Sequence, residues 1–231
     1  MSFRYDFENN GFVLVKHAFD QDDLLKLEKV LRAFHRAWLE DNVEFYQQGA
    51  INSAYLTEPS YLSDEQRLVL FQFIGSPKMA GHIKALFADP LMFVGTQLFF
   101  DPFQPEQKNY WHRDIQYGKS LDQQKKALSG PKALHFRIAL RDERGIELVP
   151  GSHQRWDTED ELVVRCEQEG RTNSEDLKSG VSVPLQRGDM LVFDAKMIHR
   201  GLYGGDRFAF DILLADPDPS LKEIIHKNGL P

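Results

Sequence analysis

Apolar positions along this chain follow two periods, and the change from one to the other divides it. Over roughly the first 90 residues they recur at three- and four-residue spacing, which predicts helices. Leu24, Leu27, Leu31, Phe34 and Trp38 form one such stripe. Asp20 supplies its N-cap, and Asp22 and Asp23 sit in a first turn where the helix dipole favours acids. Ser63-Asp64-Glu65-Gln66 has the form of a capping box ahead of Leu68, Leu70, Phe71 and Ile74. Ser76-Pro77 offers a cap and a first-turn proline before Met79, Ile83 and Leu86. Gly11-Phe12-Val13-Leu14-Val15 reads differently, as a short buried strand.

From Leu91 the period shortens to that of strands. Residues 91–100, 134–140, 146–149, 181–185, 190–193 and 207–215 read as strands separated by Gly, Pro and Asp turns. Short strands without long helices between them predict a mainly β protein with flanking helices, a sandwich or jelly roll. The expected layout is a single domain over 1–231. Its helical part, about 1–90, packs on the outside of one sheet of a β core at about 91–215. Residues 116–132 and 157–180 are long, polar and charged, and read as loops that could serve as lids.

Composition narrows the function classes. An apolar fraction of 42% with 17 Phe predicts a well-filled core. The single Cys166 excludes an internal disulfide or a Cys-rich zinc site and points to a reducing compartment. With no apolar run of membrane-spanning length and no signal-peptide pattern at the N-terminus, the expectation is a cytoplasmic protein. A net charge of −7 without a basic stripe argues against nucleic acid as a partner.

Candidate chemistry starts at Tyr110-Trp111-His112-Arg113-Asp114. On an extended backbone residues two apart share a face, so His112 and Asp114 can grip one ion. Gly188-Asp189 turns into a buried strand followed by His199-Arg200-Gly201. In a jelly roll distant strands become neighbours, and His199 can join the pair. Two imidazoles and one carboxylate are the facial triad of non-haem Fe(II) oxygenases, which leaves three positions for an oxo acid and O₂. Arg207 shares a strand face with Ala209 and Asp211, and a planar guanidinium suits the remote carboxylate of 2-oxoglutarate. Its competing role is a structural pair with Asp211. Zinc on the same three ligands, activating water for hydrolysis or isomerisation, is the competing chemistry. A jelly-roll binding protein with a vestigial site is the non-enzymatic alternative.

Other residues receive lesser roles. Gln97 faces the same way as Gly95 and Phe99 and could reach the oxo acid. His135 and Arg137 share the face opposite Phe136 and Ile138, and could bind an anionic substrate group. Gln116, Tyr117 and Trp156 flank the expected mouth as substrate contacts. His153 is expected to fix its own turn, and His35 and His82 to be structural bystanders on helices. His17 and His226 carry no functional reading.

Taken together, Trp111-His112-Arg113-Asp114, Glu147-Leu148-Val149-Pro150-Gly151-Ser152-His153, Gly188-Asp189 ahead of His199, and the trailing Arg207 resemble the phytanoyl-CoA dioxygenase family of Fe(II)/2-oxoglutarate oxygenases. The resemblance runs over roughly residues 11–215. It implies a double-stranded β-helix of the cupin-like kind, iron on His112, Asp114 and His199, and 2-oxoglutarate on Arg207. It further implies a small-molecule substrate oxidised with O₂ while the oxo acid becomes succinate and CO₂. The short link Leu202-Tyr203-Gly204-Gly205-Asp206 departs from the family's usual spacing, which leaves Arg137 as the second candidate for the oxo acid. No basic cluster stands ready for coenzyme A phosphates, so an acyl-CoA substrate is not carried over.

Overall fold

The computed structural model describes residues 3–224 and 229–230; His226 lies outside them. The helices start where the sequence puts their caps. Asp20 accepts a hydrogen bond from the Asp23 amide at the start of α2 (Gln21–Asp41). Ser63 and Gln66 close a reciprocal capping box on α4 (Asp64–Ile74). Ser76 caps α5 (Pro77–Leu86), with Pro77 in the first turn. Helices α1 (Phe3–Asn10) and α3 (Val43–Gln47) and strand β2 (Asn52–Ala54) go beyond the expected elements, being too short for periodicity to reveal.

The strands are β1 (Phe12–Val15), β3 (Met92–Phe100), β4 (Ala133–Ala139), β5 (Glu143–Leu148), β6 (Val181–Leu185), β7 (Met190–Asp194), β8 (His199–Gly201) and β9 (Phe208–Ala215). They form a six-stranded sheet in the order β1-β7-β4-β9-β3-β2 and a three-stranded sheet β6-β5-β8. Every pairing is antiparallel. Successive side chains on a strand point to opposite faces. The outer face of the large sheet therefore presents Leu134, Phe136, Ile138, Phe210 and Ile212 to a core shared with Leu27, Leu31 and Phe34 of α2. A second cluster, with Ile146, Leu148, Leu185, Leu191 and Met197, fills part of the space between the sheets. This is a jelly roll with helices flanking one sheet.

Residues 116–132 and 157–180 are not the open loops their polarity suggests. The first contains α6 (Leu121–Leu128) behind a Ser120/Gln123 capping box, and the second contains α7 (Glu159–Arg165) behind a Thr158/Glu161 box. The second segment is also tied down. Arg200 donates to Asp176 at 2.6 Å, the Trp111 indole donates to the Glu175 carbonyl at 2.8 Å, and Leu177 packs with Trp111 and Val164. Among the described residues no helix is long and apolar enough to cross a membrane.

Leu31 is fully buried, whereas Leu25 on the same helix is 54% exposed. We expect Leu31→Ala to lower the unfolding free energy by about 2–5 kcal/mol in urea titrations. Leu25→Ala should stay within about 0.5 kcal/mol of the parent.

Candidate active site

His112 forms an isolated antiparallel bridge with His199, the first residue of β8. The His112 amide donates to the His199 carbonyl at 3.0 Å, and the His199 amide returns a bond of 2.9 Å, so the two imidazoles lie side by side. The Asp114 amide donates to the Ala195 carbonyl, which sets its carboxylate beneath them. Nε2 of His112 and Nε2 of His199 stand 3.5 and 3.7 Å from Asp114 Oδ1. One potential ligand atom from each residue falls within 4.8 Å of the other two. The Nδ1 atoms face the carbonyls of Tyr110 and Met197 at 3.1 and 3.0 Å, so each ring carries its proton there and turns the Nε2 lone pair inward. Burial, with His112 beside it, lowers the His199 pKa to about 3 and keeps it neutral, as a metal ligand must be. Burial alone would raise Asp114. The imidazoles of His199, His112 and His135 around it outweigh that and hold it well below the ordinary carboxylate range.

Behind the triad, β4 and β9 supply a line of alternating charges. Asp114 Oδ2 lies 2.8 Å from His135 Nε2, and His135 Nδ1 lies 2.9 Å from Asp211 Oδ2. Arg137 closes the line with bonds of 2.7 and 2.8 Å to the two Asp211 oxygens. Burial opposes a charge on His135, but its hydrogen bonds to Asp114 and Asp211 prevail and raise its pKa to about 9. His135 and Arg137 do reach the interior, as alternation predicts. They are neutralised there by carboxylates of the protein, so neither is free for an anionic substrate group. The same pairing removes Arg137 as the reserve clamp. It also rejects Asp211 as the partner of Arg207, since β4 and β9 pair in a register that sets Arg137 opposite Asp211.

Arg207 is 2% exposed, and its three guanidinium nitrogens are buried without a hydrogen-bond partner. Glu143 approaches Nε at 3.4 Å, but neither of its oxygens is hydrogen-bonded, and burial raises its pKa. The guanidinium stacks toward Phe99 and Tyr203 and lies against Gly201, where a Cβ would come within 2.8 Å of it. Arg207 and the triad line one cavity of about 440 Å³.

Of the remaining expected site residues, Gln97 and Tyr117 line this cavity, while Gln116 and Trp156 do not. Gln116 Oε1 accepts from Arg165 at 2.8 Å and from the Arg113 amide at 3.0 Å. Trp156 is covered by Arg113, Lys125 and Arg165. Of residues 116–132 only Tyr117 lines the cavity, and 157–180 contributes nothing to the lining. Asn109, Tyr110, Tyr203 and Leu213 do contribute; Leu213, at least, follows from alternation with Asp211. His153 does not hold its own turn. Ser152 does, accepting from the Ile198 amide at 2.9 Å, while His153 packs its ring against Phe7.

Arg113, between the two N-terminal triad members, points away from the cavity and is fully buried. Its guanidinium donates to Asp157 at 3.0 and 2.8 Å, and to the carbonyls of Ser152, Arg155 and Lys196. Asp157 also accepts from Arg165 at 2.7 Å. Arg113 thereby fixes the backbone that carries His112 and Asp114. Asp157→Ala would strand two buried guanidinium groups. We expect a loss of about 3–5 kcal/mol in thermal unfolding, with weaker Mn(II) binding in calorimetry; unchanged values for both would remove this role.

The jelly roll and its triad define the architecture of a non-haem iron oxygenase. The chain belongs to the phytanoyl-CoA dioxygenase (PhyH) family, whose model matches residues 7–202. It is an Fe(II)/2-oxoglutarate-dependent oxygenase, with iron as cofactor and 2-oxoglutarate as co-substrate. No curated protein matches the chain significantly. Solved structures share the fold at low identity. AviO1 from Streptomyces viridochromogenes Tue57 is 20% identical with a TM-score of 0.64, over 93% of this chain and 94% of that one. HygX from Streptomyces hygroscopicus, solved with nickel and 2-oxoglutarate, is 13% identical with a TM-score of 0.62, over 92% and 85%. SnoN from nogalamycin biosynthesis, an alpha-ketoglutarate-dependent epimerase, is 17% identical with a TM-score of 0.57, over 93% and 81%.

Proposed function

We propose that His112, Asp114 and His199 hold the ferrous ion, that Arg207 binds the remote carboxylate of 2-oxoglutarate, and that the enzyme hydroxylates a small uncharged molecule. The observation that carries this reading is Arg207. A buried guanidinium without hydrogen-bond partners is costly. The cost is relieved if an anion completes it, and a dianionic oxo acid bound at the neighbouring triad supplies one. The donor set suits Fe(II): two neutral imidazoles and one carboxylate leave the ion net positive with three open positions.

Iron held by His112, Asp114 and His199 would supply the coupling of O₂ to the oxidative decarboxylation of 2-oxoglutarate. One oxygen atom then goes to succinate and the other to the substrate, R–H becoming R–OH with release of CO₂. The chain's own side chains confine and orient the reactants. Phe99 and Tyr203 flank the Arg207 guanidinium, and Gln97 stands on the same inner face of β3 as Phe99. With Asp114, His135, Arg137 and Arg207 all engaged and His112 and His199 assigned to the metal, the other polar groups of the lining are neutral: Gln97, Asn52, Asn109, Tyr110, Tyr117 and Tyr203. A charged substrate would find no free counter-charge among them. At about 440 Å³ the cavity also sits low in the ~300–1,000 Å³ range of ligand sites. Shared with the oxo acid, it suits a small molecule better than a whole acyl-CoA. The single free Cys166 suits a reducing compartment, and we place the enzyme in the cytoplasm.

Binding to the native state raises the melting point by linkage. We expect Mn(II), a redox-stable stand-in for Fe(II), to raise it, and N-oxalylglycine, an unreactive oxo-acid analogue, to raise it further. Arg207→Met should keep the first increment and lose the second. An undiminished second increment in Arg207→Met would place the oxo acid elsewhere, and none in the parent would sink the co-substrate assignment.

A further inference from the structure

The two oxygens of Asp114 have different surroundings. Oδ1 is the one that faces the Nε2 atoms of His112 and His199, at 3.5 and 3.7 Å. Oδ2 is turned away, to His135 Nε2 at 2.8 Å. His135 has little freedom to move. Its other nitrogen meets Asp211 at 2.9 Å, its ring stacks on Phe193 with centroids 4.6 Å apart, and Asp211 is gripped by Arg137. Because both ring nitrogens face carboxylate oxygens, both act as donors.

We infer that His135 is a positioning residue that keeps Asp114 a one-oxygen metal ligand and thereby reserves a coordination position for O₂. The inference rests on the triad assignment above. Three protein donors on an octahedral ion leave three positions, of which the oxo acid takes two and O₂ the third. A carboxylate that swung its second oxygen onto the ion would fill the third. Carboxylates adopt that two-oxygen mode readily when nothing holds the second oxygen. Here His135 holds it, and the inner face of the large sheet holds His135. The role differs from general support of the fold, because losing it would change how many water or oxygen ligands the ion can take before it changed whether the ion binds.

That difference can be read without turnover. We would load the parent, His135→Leu and His135→Gln with Mn(II) alone, and measure Mn(II) affinity, melting temperature and the water-proton relaxation caused by the bound ion. In His135→Leu the freed carboxylate should displace one of three bound waters and lower the relaxation enhancement by about a third. Mn(II) affinity should stay within about tenfold of the parent. Loaded with Fe(II), this variant should release succinate about 10–100-fold more slowly, the usual range for groups that orient a ligand. His135→Gln, whose amide can donate to Oδ2, should recover both the relaxation and most of the rate. If His135→Leu does not fold, His135→Asn, too short to reach Oδ2, takes its place with the same expected pattern. Parent-like relaxation in the variant lacking the donor would overturn the inference. So would a joint loss of Mn(II) binding, melting temperature and rate in the Leu and Gln variants alike, which marks a merely structural histidine. Failure of the triad assignment is distinguishable, because it would show as absent Mn(II) binding in the parent itself.

Discussion

The Arg137–Asp211 ion pair decides how the other charges of the interior are used. The two residues lie directly opposite in the β4–β9 register, both essentially without solvent, and the guanidinium engages both carboxylate oxygens. Such a pair is needed less for net stability than because either partner alone would be a buried, uncompensated charge. Its consequences run outward. Asp211 has an oxygen left for His135, which in turn meets Asp114. Arg137, its charge met by both oxygens of Asp211, is withdrawn from ligand binding. Arg207, which shares a strand face with Asp211, is left without a carboxylate it can hydrogen-bond. Glu143 stands near, at 3.4 Å from Nε, but neither of its oxygens makes a hydrogen bond to the guanidinium. One pair thus separates a structural arginine from a ligand-ready one, although in the sequence both sit on inward strand faces.

What could be read from the chain follows from how local its cause is. The caps at Asp20, Ser63 and Ser76 act on the next turn of backbone, and the helices begin where they stand. The His112/Asp114 pair was legible because extended residues two apart share a face. His199 was less so, since only the bridge between residue 112 and β8 brings it beside them. Arg113 carried no recognisable message. Its partner Asp157 is 44 residues away, and a charged residue between two ligands reads as surface until the fold buries it. Gln116 and Trp156 stand close to site residues in the sequence, yet their side chains turn to Arg113 and Arg165, while the neighbouring Tyr117 faces the cavity. The capping boxes at Ser120 and Thr158 were visible in principle, but the polarity of 116–132 and 157–180 outweighed them. Those two helices pack through few apolar residues and, for α7, through buried charge, which periodicity does not weigh.

The deepest coupling is between the apolar core and the site, because the same strands build both. Along β4, Leu134, Phe136 and Ile138 face the helices, while His135 and Arg137 face the cavity. Along β9, Phe208, Phe210, Ile212 and Leu214 join the core while Asp211 faces inward. Burying each large apolar side chain contributes roughly 1.5–3 kcal/mol. Slipping either strand by one residue would expose that set and drive His135, Arg137 and Asp211 into hydrocarbon. The register that lets Arg137 meet Asp211 is therefore enforced from the opposite face of the sheet. Strand β3 shows how finely this is set. Its pairing with β9 shifts between Phe93 and Gly95, and Val94 is the extra residue. Phe93 on one side of this bulge and Leu98 on the other both pack on the helical core, although strict alternation would set them on opposite faces. The bulge changes the parity, so Val94, Gln97 and Phe99 all reach the cavity. Were Val94 paired in regular alternation instead of bulged, a strand aligned to the core at Phe93 would turn Leu98 inward, and Gln97 and Phe99 would lie on the far side of the sheet from Arg207.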